Sequence, residues 1–285
     1  MGSLSGKVAV VTGGGNGIGR AHSLLFAREG AKVVVNDIGL NRHGEAEAGL
    51  DPAAEVVKEI QALGGEAVAN RDPVGSFENA EKIVGAAVEA FGRIDILINN
   101  AGILRDKTIL KMSPQEWQAV LDVHLNGSFA CLQAAARVMK DQATGGRIVN
   151  TSSSSGLLGN FGQANYGAAK AAIYALTRIA AWELGKYGIT VNAIAPAALT
   201  RMTFDLPGIK DRWRPEEMSP DHISPIVAYL CTDEGGKITG QTFGVDGNHL
   251  FIYKMVTSHG LTKRGTFEPW KIEEIGPALE RIISW

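Results

Sequence analysis

The stretch Val8-Ala-Val-Val-Thr12-Gly-Gly-Gly-Asn-Gly17-Ile-Gly19 decides the fold, because an apolar run leads straight into a glycine-rich turn and then a helical pattern. Glycine permits a tight turn and lets the backbone approach a phosphate, while the N-terminus of the next helix offers amide donors and the positive end of a dipole. The spacing Gly-x-x-x-Gly-x-Gly between a strand and a helix therefore predicts a dinucleotide site. Its expected contacts are Gly13, Asn16, Gly17, Ile18 and Gly19.

Outward from this turn, short strand patterns alternate with helical patterns along the chain. The predicted strands cover residues 7–12, 32–36, 66–70, 94–99, 147–152, 190–194 and 242–245. The predicted helices cover residues 17–29, 52–63, 78–91, 114–140, 161–185 and 220–231. Most strand runs are continuously apolar, which is typical of a parallel sheet buried on both faces. We therefore expect a single-domain α/β fold, a doubly wound Rossmann-type parallel sheet with helices on both faces.

Two segments depart from this alternation. Residues 197–219 are polar and contain proline, and they predict a lid over the site within a dinucleotide-binding catalytic domain of residues 1–247. Residues 248–285 form a C-terminal extension rich in aromatic residues, which we expect to pack on the body or on a partner subunit. The lid side chains expected to contact a large substrate are Arg201, Met202, Phe204, Leu206, Lys210, Arg212, Trp213 and Arg214.

Composition narrows the class of protein. The chain has 285 residues and a net charge of -2, so no basic field suggests nucleic acid as a partner. No apolar run reaches membrane-spanning length, and no signal-peptide pattern opens the chain, so we expect a cytoplasmic protein without a membrane partner. Cys131 and Cys231 lie in apolar helical patterns and are interpreted as buried hydrophobic residues. No metal site is predicted.

The residues after the next strands refine the cofactor prediction. Asp37 follows the second strand, where a carboxylate can accept both adenosine ribose hydroxyls and would repel a 2′-phosphate. The adjacent position is Ile38 rather than arginine, so NAD is favoured over NADP. The alternative interpretation of Asp37 is a solvated loop acid. The further expected cofactor contacts are Asp72 and Val74 after the third strand, and Asn100, Ala101 and Gly102 after the fourth.

A serine, a tyrosine and a lysine indicate the chemistry. Ser153 ends the fifth strand, and Tyr166 and Lys170 are one helical turn apart on the same face of the next helix. A free tyrosine has a pKa of about 10, too high for a base at neutral pH, whereas a neighbouring ammonium favours the phenolate. We therefore predict that Tyr166 exchanges a proton with a substrate hydroxyl, that Lys170 lowers the pKa of Tyr166, and that Ser153 orients the substrate oxygen. The alternative is a core tyrosine beside a surface lysine.

At these residues the chain resembles the short-chain dehydrogenase/reductase family over about residues 1–247. The motifs that carry the resemblance are Thr12–Gly19, Asn99–Gly102, Ser153, Tyr166-Gly-Ala-Ala-Lys170 and Thr239-Gly-Gln241. The resemblance implies a nicotinamide-dependent oxidoreductase. It also implies that Tyr166, Lys170, Pro196 and Thr200 contact the cofactor.

Other stretches are similar to the (3R)-hydroxyacyl-CoA dehydrogenase domain of peroxisomal multifunctional β-oxidation enzymes. They include Val34-Val-Asn-Asp-Ile-Gly39 and Gly159-Asn-Phe-Gly-Gln-Ala-Asn-Tyr166. This similarity implies an NAD-linked dehydrogenase of 3-hydroxyacyl thioesters. One departure concerns the helix after the fourth strand, where many family members carry an asparagine that holds a proton-relay water. The matching residue is His124, which either takes that role or is a buried structural histidine.

Several alternatives stay open at this point. The enzyme alternatives are a steroid or other secondary-alcohol dehydrogenase and a 3-oxoacyl carrier-protein reductase, and the non-enzyme alternative is an NAD-binding redox sensor. The segments 119–139 and 168–184 are apolar or small nearly all round. One face can cover the sheet and the other needs a second cover, so we predict a homodimer or homotetramer in which these helices pair.

Overall fold

The computed structural model describes residues 2–41, 44–45, 49–200, 214, 216–263, 265 and 268–283. An eight-stranded sheet with the order β3-β2-β1-β4-β5-β6-β7-β8 forms its centre, and β1 to β7 are parallel. The strands are β1 (Val8–Thr12), β2 (Lys32–Asn36), β3 (Ala67–Asn70), β4 (Ile96–Asn99), β5 (Gly146–Thr151), β6 (Ile189–Ala197), β7 (Thr242–Asp246) and β8 (His249–Ile252). The strand order reverses between β1 and β4, which places the switch point of a doubly wound sheet beside the glycine-rich turn.

Helices cover both faces of this sheet. They are α1 (Gly17–Arg28), α2 (Pro52–Ala62), α3 (Phe77–Phe91), α4 (Pro114–Leu121), α5 (Gly127–Gln142), α6 (Ser154–Leu158), α7 (Ala164–Leu184), α8 (Ser224–Cys231) and α9 (Ile272–Ile283). Successive strand residues point to opposite faces, so Val33 packs in the core beneath α1, α2 and α8, whereas Val34 packs beneath α3, α5 and α7. Two buried cores on one sheet confirm the predicted fold class.

The sequence patterns missed several elements. Strand β8 pairs antiparallel with β7 across the two-residue connection Gly247-Asn248, where Gly247 has φ +56. A glycine with positive φ at the first position of a two-residue connection is a hairpin signal that the sequence carries in Gly247-Asn248. The predicted helix over 114–140 contains a π-helical turn, Asp122–Asn126, between α4 and α5. The predicted helix over 161–185 begins only at Ala164, because a turn and the short helix α6 precede it.

The chain divides into two compact units, Met1–Ile252 and Tyr253–Trp285. The second unit contains α9, and within it the Lys263 ammonium lies 2.7 Å from a carboxylate oxygen of Glu274. The proposed packing of the 248–285 extension on the body or on a partner stays a prediction. Within the part of the chain that the structure describes, no helix is both long enough and apolar enough to cross a membrane.

Candidate active site

A cleft of roughly 600 Å³ opens at the carboxyl ends of the strands, beside the reversal between β1 and β4. It brings together nearly all of the side chains and backbone segments that the sequence singled out. The predicted residues that line it are Gly13, Asn16, Gly17, Ile18, Asp37, Asp72, Val74, Asn100, Ala101, Gly102, His124, Ser153, Tyr166, Lys170, Pro196 and Thr200. Of the residues expected in the glycine turn, Gly19 does not line the cleft and lies in the first turn of α1.

Backbone geometry explains why the turn needs its glycines. Gly13 and Gly17 have φ values of +62 and +50, which residues with a Cβ rarely adopt. A Cβ on Gly13 would also lie 2.8 Å from the Cα of Ala101, at the end of the neighbouring strand. Gly19 serves packing instead, since a Cβ there would lie 2.0 Å from the carbonyl oxygen of Gly13. Glycine at all three positions thus lets α1 begin against the turn and leaves the turn open to the cleft.

Hydrogen bonds fix this turn to the end of β4. The Asn100 side-chain amide donates to the carbonyls of Thr12 and Gly13, each at 3.1 Å. In return, the Thr12 hydroxyl oxygen accepts the backbone N–H groups of Asn100 at 3.0 Å and Ala101 at 3.2 Å. Thr12 is therefore a structural partner of the turn that sequence reasoning did not single out, although it stands at the start of the quoted motif.

The carboxylate of Asp37 is held at the edge of the cleft where β2 ends. Its two oxygens accept backbone N–H groups of Gly15 at 3.1 Å and Gly39 at 2.9 Å. Asp72 follows β3, where the Asn70 side-chain amide donates to its carboxylate at 2.7 Å. Both acids are thus oriented by neighbouring groups. A glycine cradle, a helix N-terminus and an oriented carboxylate together fit the pyrophosphate and adenosine ribose of a nicotinamide dinucleotide.

Ser153, Tyr166 and Lys170 converge at the other end of the cleft. Ser153 is the N-cap of α6, where its hydroxyl oxygen accepts the backbone N–H of Ser155 at 3.2 Å, and it lines the same cleft as Tyr166. The buried Lys170 ammonium donates to the Thr151 carbonyl at 2.6 Å and lies 5.4 Å from the centre of the Tyr166 ring. The Ser152 hydroxyl donates to the Lys170 carbonyl at 2.9 Å, which ties α7 to the end of β5.

Burial controls the titration of this trio. It lowers the pKa of Lys170 to about 7, because the ammonium is costly to desolvate. Burial also raises the pKa of Tyr166 above its ordinary value, and the Ser153 side chain opposes that rise. The sequence led us to expect Lys170 to lower the pKa of Tyr166, whereas in the structure desolvation is the largest effect on the phenol. A lysine with a pKa of about 7 is only partly protonated at neutral pH, so Lys170 contributes less than a full positive charge beside the phenol.

His124 sits within the π-helical turn and joins the same group. Its ring is edge-on to Tyr166, with ring centres 5.1 Å apart. Its Nε2 lies 2.8 Å from the Ile103 carbonyl oxygen and 3.1 Å from the Ile103 nitrogen. Burial, and next the charge of Lys170, hold the pKa of His124 well below its usual range, so the imidazole is neutral. Asn126 is exposed and its side-chain amide donates to Asp122, away from the cleft.

The Nδ1 atom of His124 is buried and has no hydrogen-bond partner among the described residues. Buried polar atoms are nearly always partnered, so an orphan beside a reacting phenol marks a position for a water or a substrate group. The ring also needs the glycine beside it. A Cβ on Gly102 would lie 2.4 Å from the Cε1 atom of His124.

Further side chains support Tyr166 and were missed from the sequence. Asn165 is fully buried, and its amide donates to the carbonyls of Arg105 at 3.0 Å and Glu116 at 3.1 Å. Its amide oxygen accepts the Tyr166 backbone N–H at 2.8 Å, which fixes the start of α7. Asn160 and Gln163 line the cleft on the same side. The stretch Gly159–Tyr166 is dense in polar residues just before the tyrosine, but the partners of Asn165 lie elsewhere in the fold.

Most of the predicted lid lies outside the described residues. This applies to Arg201, Met202, Phe204, Leu206, Lys210, Arg212 and Trp213. Arg214 is described and is exposed. Among the residues with described positions, no cluster of histidine, cysteine, aspartate or glutamate offers a metal site.

Comparison with known proteins decides the family. The family model for short chain dehydrogenases matches residues 7–206. The chain belongs to the short chain dehydrogenase family. It is 50% identical over 226 residues to the peroxisomal multifunctional enzyme type 2 of Drosophila melanogaster, a match that covers 79% of this chain and 36% of that protein. The chain thus spans about a third of the length of that relative.

Two other family members are similar over nearly their full length. A hydroxyacyl-CoA dehydrogenase of Mycobacterium tuberculosis is 43% identical over 263 residues, covering 87% of this chain and 80% of that protein. The crystal structure of a short chain dehydrogenase from Mycobacterium avium has a TM-score of 0.88 and 44% identity, covering 99% of this chain and 96% of that one. Membership of this family confirms the predicted enzyme class, an oxidoreductase that uses a nicotinamide dinucleotide.

Proposed function

We propose that the protein is an NAD-dependent dehydrogenase of 3-hydroxyacyl-CoA thioesters. The observation that carries this proposal is the convergence of Ser153, Tyr166 and Lys170 at one end of the cleft, with Asp37 oriented at the other. The name of one relative, a hydroxyacyl-CoA dehydrogenase, and the similarity to a peroxisomal multifunctional enzyme type 2 support the choice of substrate class.

The glycine turn and the start of α1 would hold the pyrophosphate, while Asp37 would accept the adenosine ribose hydroxyls. Asp72 and Val74 would flank the adenine, and Tyr166 and Lys170 would meet the nicotinamide ribose. When bound, the dinucleotide supplies the hydride acceptor.

The protein's own groups handle the proton. The Ser153 hydroxyl and the Tyr166 phenol bind the substrate oxygen, and the phenolate takes the alcohol proton as the carbonyl forms. Burial raises the pKa of Tyr166, so phenolate formation depends on nearby positive charge. The Lys170 side chain supplies that charge when it is protonated. His124 stays neutral and steadies the phenol through its edge contact.

The structure adds support for NAD over NADP. Arg20, the first basic residue after the glycine turn, has its guanidinium paired with the Glu59 carboxylate through two hydrogen bonds. Arg71, after β3, donates two hydrogen bonds to a single carboxylate oxygen, Oδ2, of Asp51. Of the residues that the structure describes, Arg20 and Arg71 near the adenosine end thus have their guanidinium groups paired with carboxylates, and the Asp37 carboxylate would repel a 2′-phosphate.

The substrate class is tested with the purified enzyme and NAD. Matched (3R)- and (3S)-hydroxyacyl-CoA, a hydroxysteroid and a simple secondary alcohol are compared by kcat/KM. We expect the (3R)-thioester to be oxidised fastest. Faster oxidation of the steroid or the simple alcohol would replace the thioester proposal with the secondary-alcohol alternative. Turnover of the (3S)-isomer alone would correct the stereochemistry, and no turnover with any of them would favour the redox-sensor alternative.

We further propose a homodimer or homotetramer built on α5 and α7. Large apolar side chains remain exposed on these helices, among them Phe129, Ile179 and Trp182, and Trp182 is 76% exposed. Exposed apolar surface of this kind marks protein contacts. A cytoplasmic location stays a prediction. Sedimentation at micromolar concentration tests the assembly, and a monomer under those conditions would contradict it.

A further inference from the structure

An exposed surface with both apolar and basic side chains adjoins the substrate side of the cleft. It consists of Lys107, Ile109, Leu110, Lys111, Leu158 and Phe161, and we name it the entry platform. Leu110 is 99% exposed and Phe161 is 89% exposed. Burying a leucine or phenylalanine side chain is favourable, so two fully exposed ones beside a site indicate a ligand or partner.

The entry platform is attached directly to the cleft wall. Leu158 and Phe161 flank Asn160, which lines the cleft, and Gln163 lines it two residues further on. The segment with Lys107 is held against this wall, because Lys107 and Gln163 form a β-bridge and the Gln163 side chain donates to the Asp106 carboxylate at 2.8 Å. These bonds hold the two parts of the platform together.

Two exposed lysines give the platform positive charge, with the carboxylates of Asp106 and Glu116 near Lys107. Lys107 and Lys111 are exposed and form no ion pair with any residue whose position the structure describes. Arg105, close by, differs because its guanidinium lies 3.8 Å from the Glu45 carboxylate. A surface that combines exposed ammonium groups with exposed leucine and phenylalanine side chains complements a ligand with apolar and anionic parts.

We propose that the entry platform binds the coenzyme A part of the thioester substrate, its apolar side chains contacting the pantetheine arm and its lysines the phosphates. This inference rests on the proposed function. The cleft of roughly 600 Å³ is shared by the dinucleotide and the reacting end of the substrate. The remainder of a CoA thioester must therefore lie outside it, and the platform continues the wall at which the carbonyl-bearing carbon would sit.

Three thioesters with the same 3-hydroxyacyl group test the two halves of the platform: those of N-acetylcysteamine, pantetheine and coenzyme A. Lys107→Glu/Lys111→Glu should lower kcat/KM about tenfold for the CoA thioester alone, because only CoA carries the phosphates. Leu110→Ser should lower it severalfold for the pantetheine and CoA thioesters and leave the N-acetylcysteamine thioester unchanged. Lys237→Glu is the control, since Lys237 is exposed and precedes β7, on the amino-end side of the sheet, whereas the cleft opens at the carboxyl ends of the strands.

A binding measurement separates failure of the platform from failure of the proposed function. Calorimetric titration of coenzyme A into the enzyme saturated with NAD should give a Kd about tenfold weaker for Lys107→Glu/Lys111→Glu than for the wild type or the control. An unchanged Kd, or an equal loss on all three thioesters, overturns the platform. A thioester of acyl carrier protein is compared as a fourth substrate. If it is preferred over the CoA thioester and this preference is lost in Lys107→Glu/Lys111→Glu, the platform binds an acidic protein and not coenzyme A. If no thioester is oxidised and the Kd still changes, only the proposed reaction fails.

Discussion

The two ends of the cleft are built in different ways. The adenosine end is formed mainly by backbone: glycines with positive φ, the ends of strands, and N–H groups that orient Asp37. At the reacting end, buried side chains from the segment after β5, from α7 and from the π-helical turn converge on one phenol. The proposed recognition of the cofactor thus depends on local chain geometry, whereas the proposed reactivity of Tyr166 depends on how distant segments are buried together.

The largest effect is expected when the phenol oxygen of Tyr166 is removed from the reacting end. Tyr166→Phe should lower kcat at least about 1,000-fold, equivalent to roughly 4 kcal/mol, because in the proposed mechanism the phenol alone exchanges the proton. The Kd for NAD, measured by fluorescence, should change little. Tyr174→Phe is the matched control on the same helix, since the Tyr174 hydroxyl bonds Arg178 rather than a reacting group. Activity above a tenth of the wild type in Tyr166→Phe would identify another base.

A second test concerns the energetic cost of burying Lys170. Its pKa falls from 10.5 to about 7 in the folded protein, at about 1.4 kcal/mol per pKa unit. The unfolded chain therefore binds more protons between these values, so the penalty grows as the pH falls from about 10.5 to 7 and levels off below. Lys170→Met should raise the free energy of unfolding by about 2 kcal/mol at neutral pH, after the loss of the bond to Thr151.

Urea unfolding of the enzyme without added cofactor at several pH values measures this effect. The gain in Lys170→Met should shrink as the pH rises toward 10, while the activity of the variant stays low throughout. A gain independent of pH would mean that the buried ammonium is not the source of the penalty. A destabilised variant at every pH would mean that Lys170 is mainly a structural residue.

The adenosine end is tested by cofactor preference rather than by rate. Asp37→Ala should reduce the NAD/NADP ratio of kcat/KM by about 100-fold, equivalent to roughly 2.7 kcal/mol, because the carboxylate both binds the ribose hydroxyls and repels a 2′-phosphate. Asp72→Ala serves as a comparison at the neighbouring strand end. A wild type that uses both cofactors equally would remove the assignment of Asp37.

The cofactor end of the cleft can be predicted from the sequence more completely than the reacting end. A glycine turn after an apolar strand is a local pattern, so the cofactor end and the parallel sheet could be predicted from it. Asn165 and the π-helical turn around His124 could not, because their roles depend on contacts with Ile103, Arg105 and Glu116 across the fold. The direction of the Tyr166 pKa shift could not be predicted either. The spacing of Tyr166 and Lys170 indicates that they are close, but it does not indicate how far the phenol is desolvated.

His124 offers the finest test, because it acts through another residue. Its neutral ring contacts Tyr166 edge-on and leaves Nδ1 without a partner among the described residues. His124→Ala should lower kcat about tenfold, roughly 1.4 kcal/mol, with a smaller change in KM, and should shift the pH at which activity rises, since the phenol loses its neighbour. His124→Asn should recover part of the loss because an amide can still bond the Ile103 backbone. Asn126→Ala, two residues on and exposed, should leave both constants unchanged, and an equal lack of effect in His124→Ala would make this histidine a packing residue.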